Sequence, residues 1–253
     1  MPTTLPILTF HALEDRAAVI AVPPRVFAQG LARLHKRGYR TLSLLEAVEC
    51  LRRNKPFPDR AFVITFDDGY QTVYEEAFPV LQRYGMSATV FLTVGARGTA
   101  KPADRLPVLS GRAMLSWGEI WEMRRGGIEF GAHTLTHPDL TRVPFDQVEA
   151  EVHDSKVILE DTLGAPVASF AYPYGRYDDR SRELARQHFT CACSDQLGLL
   201  TAASDPYALE RVDAYYLRTD RLFNVMVTRL FPWYIRARSI PRRIRRAVHP
   251  GSR

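Results

Sequence analysis

Residues 61–66 read Ala-Phe-Val-Ile-Thr-Phe, and Asp67, Asp68 and Gly69 follow without a spacer. Six uncharged residues, β-branched and aromatic, describe a strand covered on both faces. Strands of that kind belong to parallel sheets sheathed by helices, so this run argues for an α/β fold. Further short apolar runs agree with it. Leu5–Phe10, Ala88–Val94, Ile128–Ala132, Ala168–Tyr172, Thr190–Ser194 and Leu209–Ala214 all read as strands, and Tyr39–Ser43 as a shorter one.

Helical patterns lie between most of them: Arg25–Lys36, Leu44–Arg53 behind Ser43, Thr72–Tyr84 ending at Gly85, Ser116 to Arg125, Phe145–Leu163 and Asp178–Gln187. Ser43 is an expected N-cap, and Ser116 with Glu119 forms a capping box. Strand and helix thus alternate about seven times, which implies either a closed barrel or a doubly wound sheet. In both, polar groups at the carboxyl ends of strands are the candidates for chemistry. Residues 95–113, rich in Gly, Pro and Arg, form an expected functional loop.

Charge is unevenly distributed. Residues 218–253 carry ten Arg and one acid, a net of +9, and the other 217 residues carry 24 bases and 27 acids, a net of −3. The basic character belongs to the tail, so nucleic acid is not an expected partner. Cys50, Cys191 and Cys193 suit reduced thiols, because two residues apart on one strand is poor disulfide geometry. The N-terminal residues show no basic and apolar leader pattern, from which a cytoplasmic location is expected. In 222–248, Phe223, Phe231, Trp233 and Tyr234 precede an Arg cluster, a pattern suited to peripheral contact with an anionic membrane and, through it, a lipid-linked saccharide. A final helix with a solvated basic tail is the plainer reading.

Three polar clusters sit at strand ends. Asp67 and Asp68 would repel and desolvate one another at the mouth of an apolar strand. A divalent cation on one would remove that cost and leave the other as a base; an N-cap with a surface turn is the structural alternative. His133 and His137 share one face if the intervening turn is helical, and could supply two nitrogen ligands beside a carboxylate. Tyr172, Pro173, Tyr174 and Gly175 make either a rigid turn with core aromatics or a pocket wall with a backbone N–H aimed at an oxyanion.

Thr-Phe-Asp-Asp-Gly at 65–69, His-Thr-Leu-Thr-His at 133–137 and Tyr-Pro-Tyr-Gly at 172–175 occur in that order. Together they resemble the first three motifs of the NodB-type polysaccharide deacetylases. Leu-Thr-Phe-His at 8–11, Leu-Ser-Trp at 115–117, the run from Phe130 to Leu140 and Leu-Glu-Arg-Val at 209–212 extend the resemblance over most of the chain. It implies a deformed (β/α)7-type barrel at 1–217, forming a single domain, with a basic C-terminal helical tail at 218–253. It implies hydrolysis of a linear amide, the N-acetyl group of a sugar. The resemblance assigns Asp67 as base and Asp68, His133 and His137 as ligands of one divalent metal, zinc first and cobalt, nickel or iron as alternatives. It assigns the Tyr174 N–H as oxyanion donor, with Tyr70, Tyr172, Pro173 and Gly175 in the substrate pocket.

Two departures accompany the match. Ala171 stands where many members place an Arg that tunes the base, and no Leu-x-His motif follows Val212. His11, at the expected end of the first strand, is then the candidate general acid. A cyclic amide or formamide hydrolase on the same scaffold, or an inactive carbohydrate-binding domain, are the alternative functions.

Overall fold

The computed structural model describes residues 3–16, 18–95 and 104–248, with the side chains of 242–248 excepted. Its strands are β1 (Ile7–Phe10), β2 (Ala12–Leu13), β3 (Ala21–Val22), β4 (Arg40–Thr41), β5 (Ala61–Phe66), β6 (Thr89–Leu92), β7 (Glu129–Ala132), β8 (Ser169–Ala171), β9 (Cys191–Leu197) and β10 (Leu209–Asp213). Its helices are α1 (Pro24–Lys36), α2 (Leu44–Arg52), α3 (Phe78–Tyr84), α4 (Trp117–Arg125), α5 (Phe145–Leu163), α6 (Asp179–His188), α7 (Asp220–Val225) and α8 (Phe231–Val248).

Seven strands close a ring. β1 pairs with β5, then the order runs through β6, β7, β8, β9 and β10 back to β1, and all these pairings are parallel. Strand β4 hangs on β5 outside the ring. The closed (β/α)7 barrel decides between the two topologies that alternation allowed. Its short strands alternate between two cores, as the two-residue period of a strand requires. Leu8, Phe10, Ile64, Phe66, Val90, Leu92 and Phe170 join the core under the helices. Ile7, Val63, Phe91, Ala171, Cys191, Cys193 and Leu209 join an inner core with α2, whose buried Leu44, Ala47, Val48 and Leu51 complete it.

Gly131 is required inside this barrel. A Cβ there would lie 2.5 Å from the Phe91 ring and 2.6 Å from the Ser169 hydroxyl, so its absence makes room for the aromatic. Burial raises both inner thiols: Cys193 is pushed up to about 12 and Cys191 well above its ordinary value. All three cysteines are free.

The capping box expected at Ser116–Glu119 forms, and Ser43, expected as an N-cap, forms a second one with Glu46. The helix expected over 72–84 is divided. A π-helical turn spans Val73–Ala77, the Phe78 N–H donates to the Val73 carbonyl, and α3 begins beyond it. Pro79 has no N–H to return to the preceding turn, and the wider turn absorbs that gap. Of the loop expected at 95–113, residues 96–103 lie outside the described residues. The remainder folds back on the barrel through antiparallel bridges Arg105–Ser116, Leu109–Arg112 and Tyr70–Met114. The C-terminal segment is not a loose appendage at its start: Phe223, Met226, Phe231 and Ile235 are buried in the outer core. No described helix is long and apolar enough to cross a membrane.

Candidate metal centre

Strand parity delivers the site. Inward-facing Ile7 and Thr9 of β1 lead in phase to His11, Val63 and Thr65 of β5 to Asp67, Gly131 of β7 to His133, and Leu209 of β10 to Arg211. The hydroxyls of Thr9 and Thr65 meet at 2.6 Å inside the ring, one layer below the charged groups. The barrel's carboxyl end is thus ringed by four side chains that each strand aims inward.

Asp67 is buried and fully engaged by one partner. Arg211 Nη1 and Nη2 donate to its two carboxylate oxygens at 2.7 Å each, and Arg211 Nε donates to the Ser194 carbonyl at 2.9 Å. Burial pushes the Asp67 carboxyl up, and the Arg211 guanidinium more than offsets it, so the group lies below the usual carboxylate range. His11 Nε2 stands 3.8 Å from Asp67 Oδ2 and keeps partial solvent access.

Asp68 faces the other way. Its Oδ1 is 3.3 Å from His133 Nε2 and 3.3 Å from His137 Nε2, and one donor atom from each of the three residues lies within 4.8 Å of the others. The alignment leaves this buried Oδ1 without a hydrogen bond, although the imidazoles still attract its charge. Two ligands about 2.1 Å from one ion, at angles of roughly 90–110°, lie about 3.0–3.4 Å apart. The orphaned oxygen and its spacing from both nitrogens therefore fit a divalent cation. His133 Nδ1 lies 2.7 Å from the Ala171 carbonyl, which can only accept, so that nitrogen carries a proton and Nε2 is the atom left to ligate. Two nitrogens and one oxygen suit zinc, cobalt, nickel or iron.

The turn expected to be helical between the two histidines is not. Residues 133–137 follow β7 in an irregular path, with Thr134 at φ +70° and His137 at φ +61°. Asp68, at φ +75°, and Tyr174, at φ +58°, share this left-handed backbone. Such conformations cost about 1–3 kcal/mol each in residues other than glycine. Four of them at one barrel mouth show that convergence of the ligands is imposed by the surrounding structure, not by a helical period.

Buried Glu151 of α5 does much of that imposing. It accepts hydrogen bonds from the backbone N–H groups of Leu135 and Thr136, at 2.7 and 2.9 Å, and from the Thr136 hydroxyl. Asp139 ties the same loop to the next one: it accepts from Arg176 Nη1 at 2.7 Å and from the Thr141 hydroxyl at 2.7 Å. The sequence reading missed Glu151 and Arg211. Each carried a signal. Glu151 falls on the buried stripe Val148, Val152, Ser155, Leu159 of α5, and Arg211 falls on the inward parity of β10. The guanidinium thought absent because Ala171 replaces it arrives from another strand.

The structure gives each of the four residues expected in the substrate pocket a part in the fold. Tyr172 is fully buried and its hydroxyl donates to the Tyr207 carbonyl at 2.9 Å, which spends both ring and polar tip on the fold. Pro173 is buried with it. Gly175 has φ +64°, and a Cβ there would lie 2.1 Å from Asp195, so its role is close backbone approach. Tyr70 is buried beneath the Arg112 guanidinium, 5.5 Å from its ring centre; burial and then the charge of Asp68 hold its phenol protonated. Only Tyr174 of this group is exposed, with its ring 4.7 Å from that of His137.

The family model for polysaccharide deacetylases matches residues 54–190. A putative polysaccharide deacetylase, YxkH, of Bacillus subtilis is 30% identical over 212 residues, 83% of this chain and 71% of that protein. A poly-β-1,6-N-acetyl-D-glucosamine N-deacetylase of Escherichia coli is 32% identical over 136 residues, 50% of this chain but only 20% of its own length. Among solved structures, the Streptococcus pyogenes deacetylase PplD in complex with acetate superposes with a TM-score of 0.74 at 30% identity, covering 84% of this chain and 93% of that one.

Proposed function

The chain belongs to the polysaccharide deacetylase family, and we propose that it hydrolyses the N-acetyl group of a sugar within an oligo- or polysaccharide, using one divalent cation held by Asp68, His133 and His137. The observation that carries this reading is a division of labour between adjacent carboxylates. Asp68 Oδ1 is orphaned between two imidazoles, whereas Asp67, one residue away, is held apart from them by Arg211. A binding module has no need for both.

When bound, the cation would polarise the acetyl carbonyl and lower the pKa of a water. Asp67, kept ionised by Arg211, takes the proton of the attacking water. The Tyr174 N–H, presented by a left-handed backbone at the mouth, donates to the oxygen on which charge develops. His11, partly open to solvent and 3.8 Å from Asp67, returns a proton to the departing amine. The exposed Tyr174 ring offers a face on which a sugar can stack. Zinc is the cation we favour, and an N-acetylglucosamine-type unit the substrate, in keeping with the E. coli poly-β-1,6-N-acetyl-D-glucosamine N-deacetylase to which the chain is similar.

The test is acetate release from N-acetylglucosamine oligomers and from lipid-linked N-acetylated sugars, with metal content measured on the same protein. Turnover that needs metal and vanishes in Asp67→Asn supports the reading. Turnover of cyclic amides or formamides alone would replace it, and saccharide binding without hydrolysis would overturn it.

A further inference from the structure

We propose that the outer face of α8 is a docking surface for an anionic lipid bilayer. Phe231, Ile235 and Ser239 of this helix are buried against the barrel. The opposite side leaves Trp233 and Ile240 in solvent, at 69% and 51% exposure, and Leu230, in the turn just before the helix, is 67% exposed. Trp233 and Ile240 are seven residues apart, so helical geometry sets them on one face. Arg229 and Arg236 are exposed, Arg238 is exposed on another side of the helix over the Tyr234 ring, and the sequence adds Arg242, Arg243, Arg245 and Arg246 within the same helix.

Single exposed apolar residues are ordinary; two on one helix face, with a third at its start, in an arginine-rich segment are not. An indole and two aliphatic side chains can sink to headgroup depth while guanidinium groups engage lipid phosphates. Charge complementarity selects the occupant. Residues 218–253 hold ten Arg against one acid, while the rest of the chain is net negative. A second copy would bring the same arginines face to face in a two-fold contact. A nucleic acid would meet the charges but has no use for the apolar side chains.

The helix is anchored at the end of the barrel that carries the site. Tyr234 of α8 donates its hydroxyl to the Tyr216 carbonyl at 2.7 Å. Tyr216 belongs to the turn Ala214–Leu217 that follows β10, the strand carrying Arg211. A chain docked through α8 would hold the barrel mouth near the membrane, where a lipid-carried saccharide is presented. Only this last step rests on the deacetylase reading; the docking itself does not.

The full chain is tested by co-sedimentation with phosphatidylcholine vesicles and with vesicles of equimolar phosphatidylcholine and phosphatidylglycerol. Binding is expected only to the second, weakening as salt is raised. Trp233→Glu with Ile240→Glu is expected to lower partitioning by on the order of tenfold or more, while Trp121→Glu on α4, also exposed, leaves it unchanged. Retained metal content and an unchanged thermal melt show that the double variant is folded. Equal binding by that folded variant, or no binding of the parent chain to anionic vesicles, overturns the proposal. So does a stable dimer in sedimentation that the double variant abolishes, which would give the face to a second copy.

Discussion

Arg211 and Asp67 form a two-pronged ion pair inside the barrel, 2.7 Å at each contact, although 144 residues separate them in sequence. The guanidinium comes from β10 and the carboxylate from the end of β5, strands that flank β1 on either side. Because Arg211 also donates to the Ser194 carbonyl and sits 3.4 Å from the Thr65 hydroxyl, its orientation is fixed from three directions. It therefore sets the charge of the proposed base without leaving that base free to swing toward the histidines.

Arg211→Gln removes the charge that offsets the burial of Asp67. An unpaired carboxylate in this position costs about 3–5 kcal/mol of stability. Protein that still folds carries a raised Asp67 pKa. A base must be ionised, so turnover fails as pH falls through that pKa, and raising the pKa moves the acid limb of the pH–rate profile to higher pH. Arg211→Lys keeps a charge but loses the second prong, and its limb is expected between those of the parent and the Gln variant. Limbs that coincide for all three proteins would remove Arg211 from control of the base.

The roles of the neighbouring carboxylates separate by metal analysis. Asp67→Asn is expected to keep its metal and lose at least about 100-fold in turnover, the scale of a lost general base. Asp68→Ala and His133→Ala are expected to lose metal and turnover together. Burial lowers the His133 pKa but Asp68 more than offsets it, and His133 must give up that proton to ligate, so metal affinity is expected to fall as pH is lowered. Metal retained by Asp68→Ala would refute the ligand set.

Much of the barrel was legible because its strands are written twice, once as apolar runs and once as the turn residues around them. Ala61–Phe66 matches its expected bounds, and Gly85 ends α3 with φ +60° as a left-handed cap. Closure was not legible: the pairing of β1 with β5 joins strands about fifty residues apart and leaves no local mark. Within the site, residues following a buried strand, such as Asp67 and His133, stood out by position. Glu151 and Arg211 did not, because a charged residue inside a helix or strand reads as solvated until its face is known. Tyr172 shows the converse. Its motif suggests a pocket, and the structure buries its ring and ties its hydroxyl to the Tyr207 carbonyl.

The contrast between Tyr172 and Tyr174 is measurable. Tyr172→Phe removes the hydrogen bond to the Tyr207 carbonyl and is expected to cost about 0.5–1.5 kcal/mol in denaturant unfolding, with KM unchanged. Tyr174→Ala removes an exposed ring and is expected to leave stability nearly unaltered while raising KM for longer saccharides. A KM effect from Tyr172→Phe equal to that from Tyr174→Ala would restore Tyr172 to the binding surface.

Glu151 provides the strictest test of how the metal-binding loop is held. It touches neither His133 nor His137, yet satisfies the N–H groups of Leu135 and Thr136 between them. Glu151→Leu leaves the buried Leu135 N–H without an acceptor and frees the N–H and hydroxyl of the exposed Thr136, for a loss of roughly 1–3 kcal/mol. Glu151→Gln retains one acceptor oxygen, which can serve both amides, and an amide N–H that the Thr136 hydroxyl can accept. The Gln variant is therefore expected to keep most of the stability and to bind zinc about as the parent does. Glu151→Leu is expected to bind it roughly 10–100-fold more weakly, as when an outer partner of a ligand is removed. The decisive readout is zinc affinity by competition with a chelator, below the melting temperature of each variant. Loss of stability in Glu151→Leu without any loss of zinc affinity would confine Glu151 to the fold and leave the ligand geometry to the left-handed residues alone.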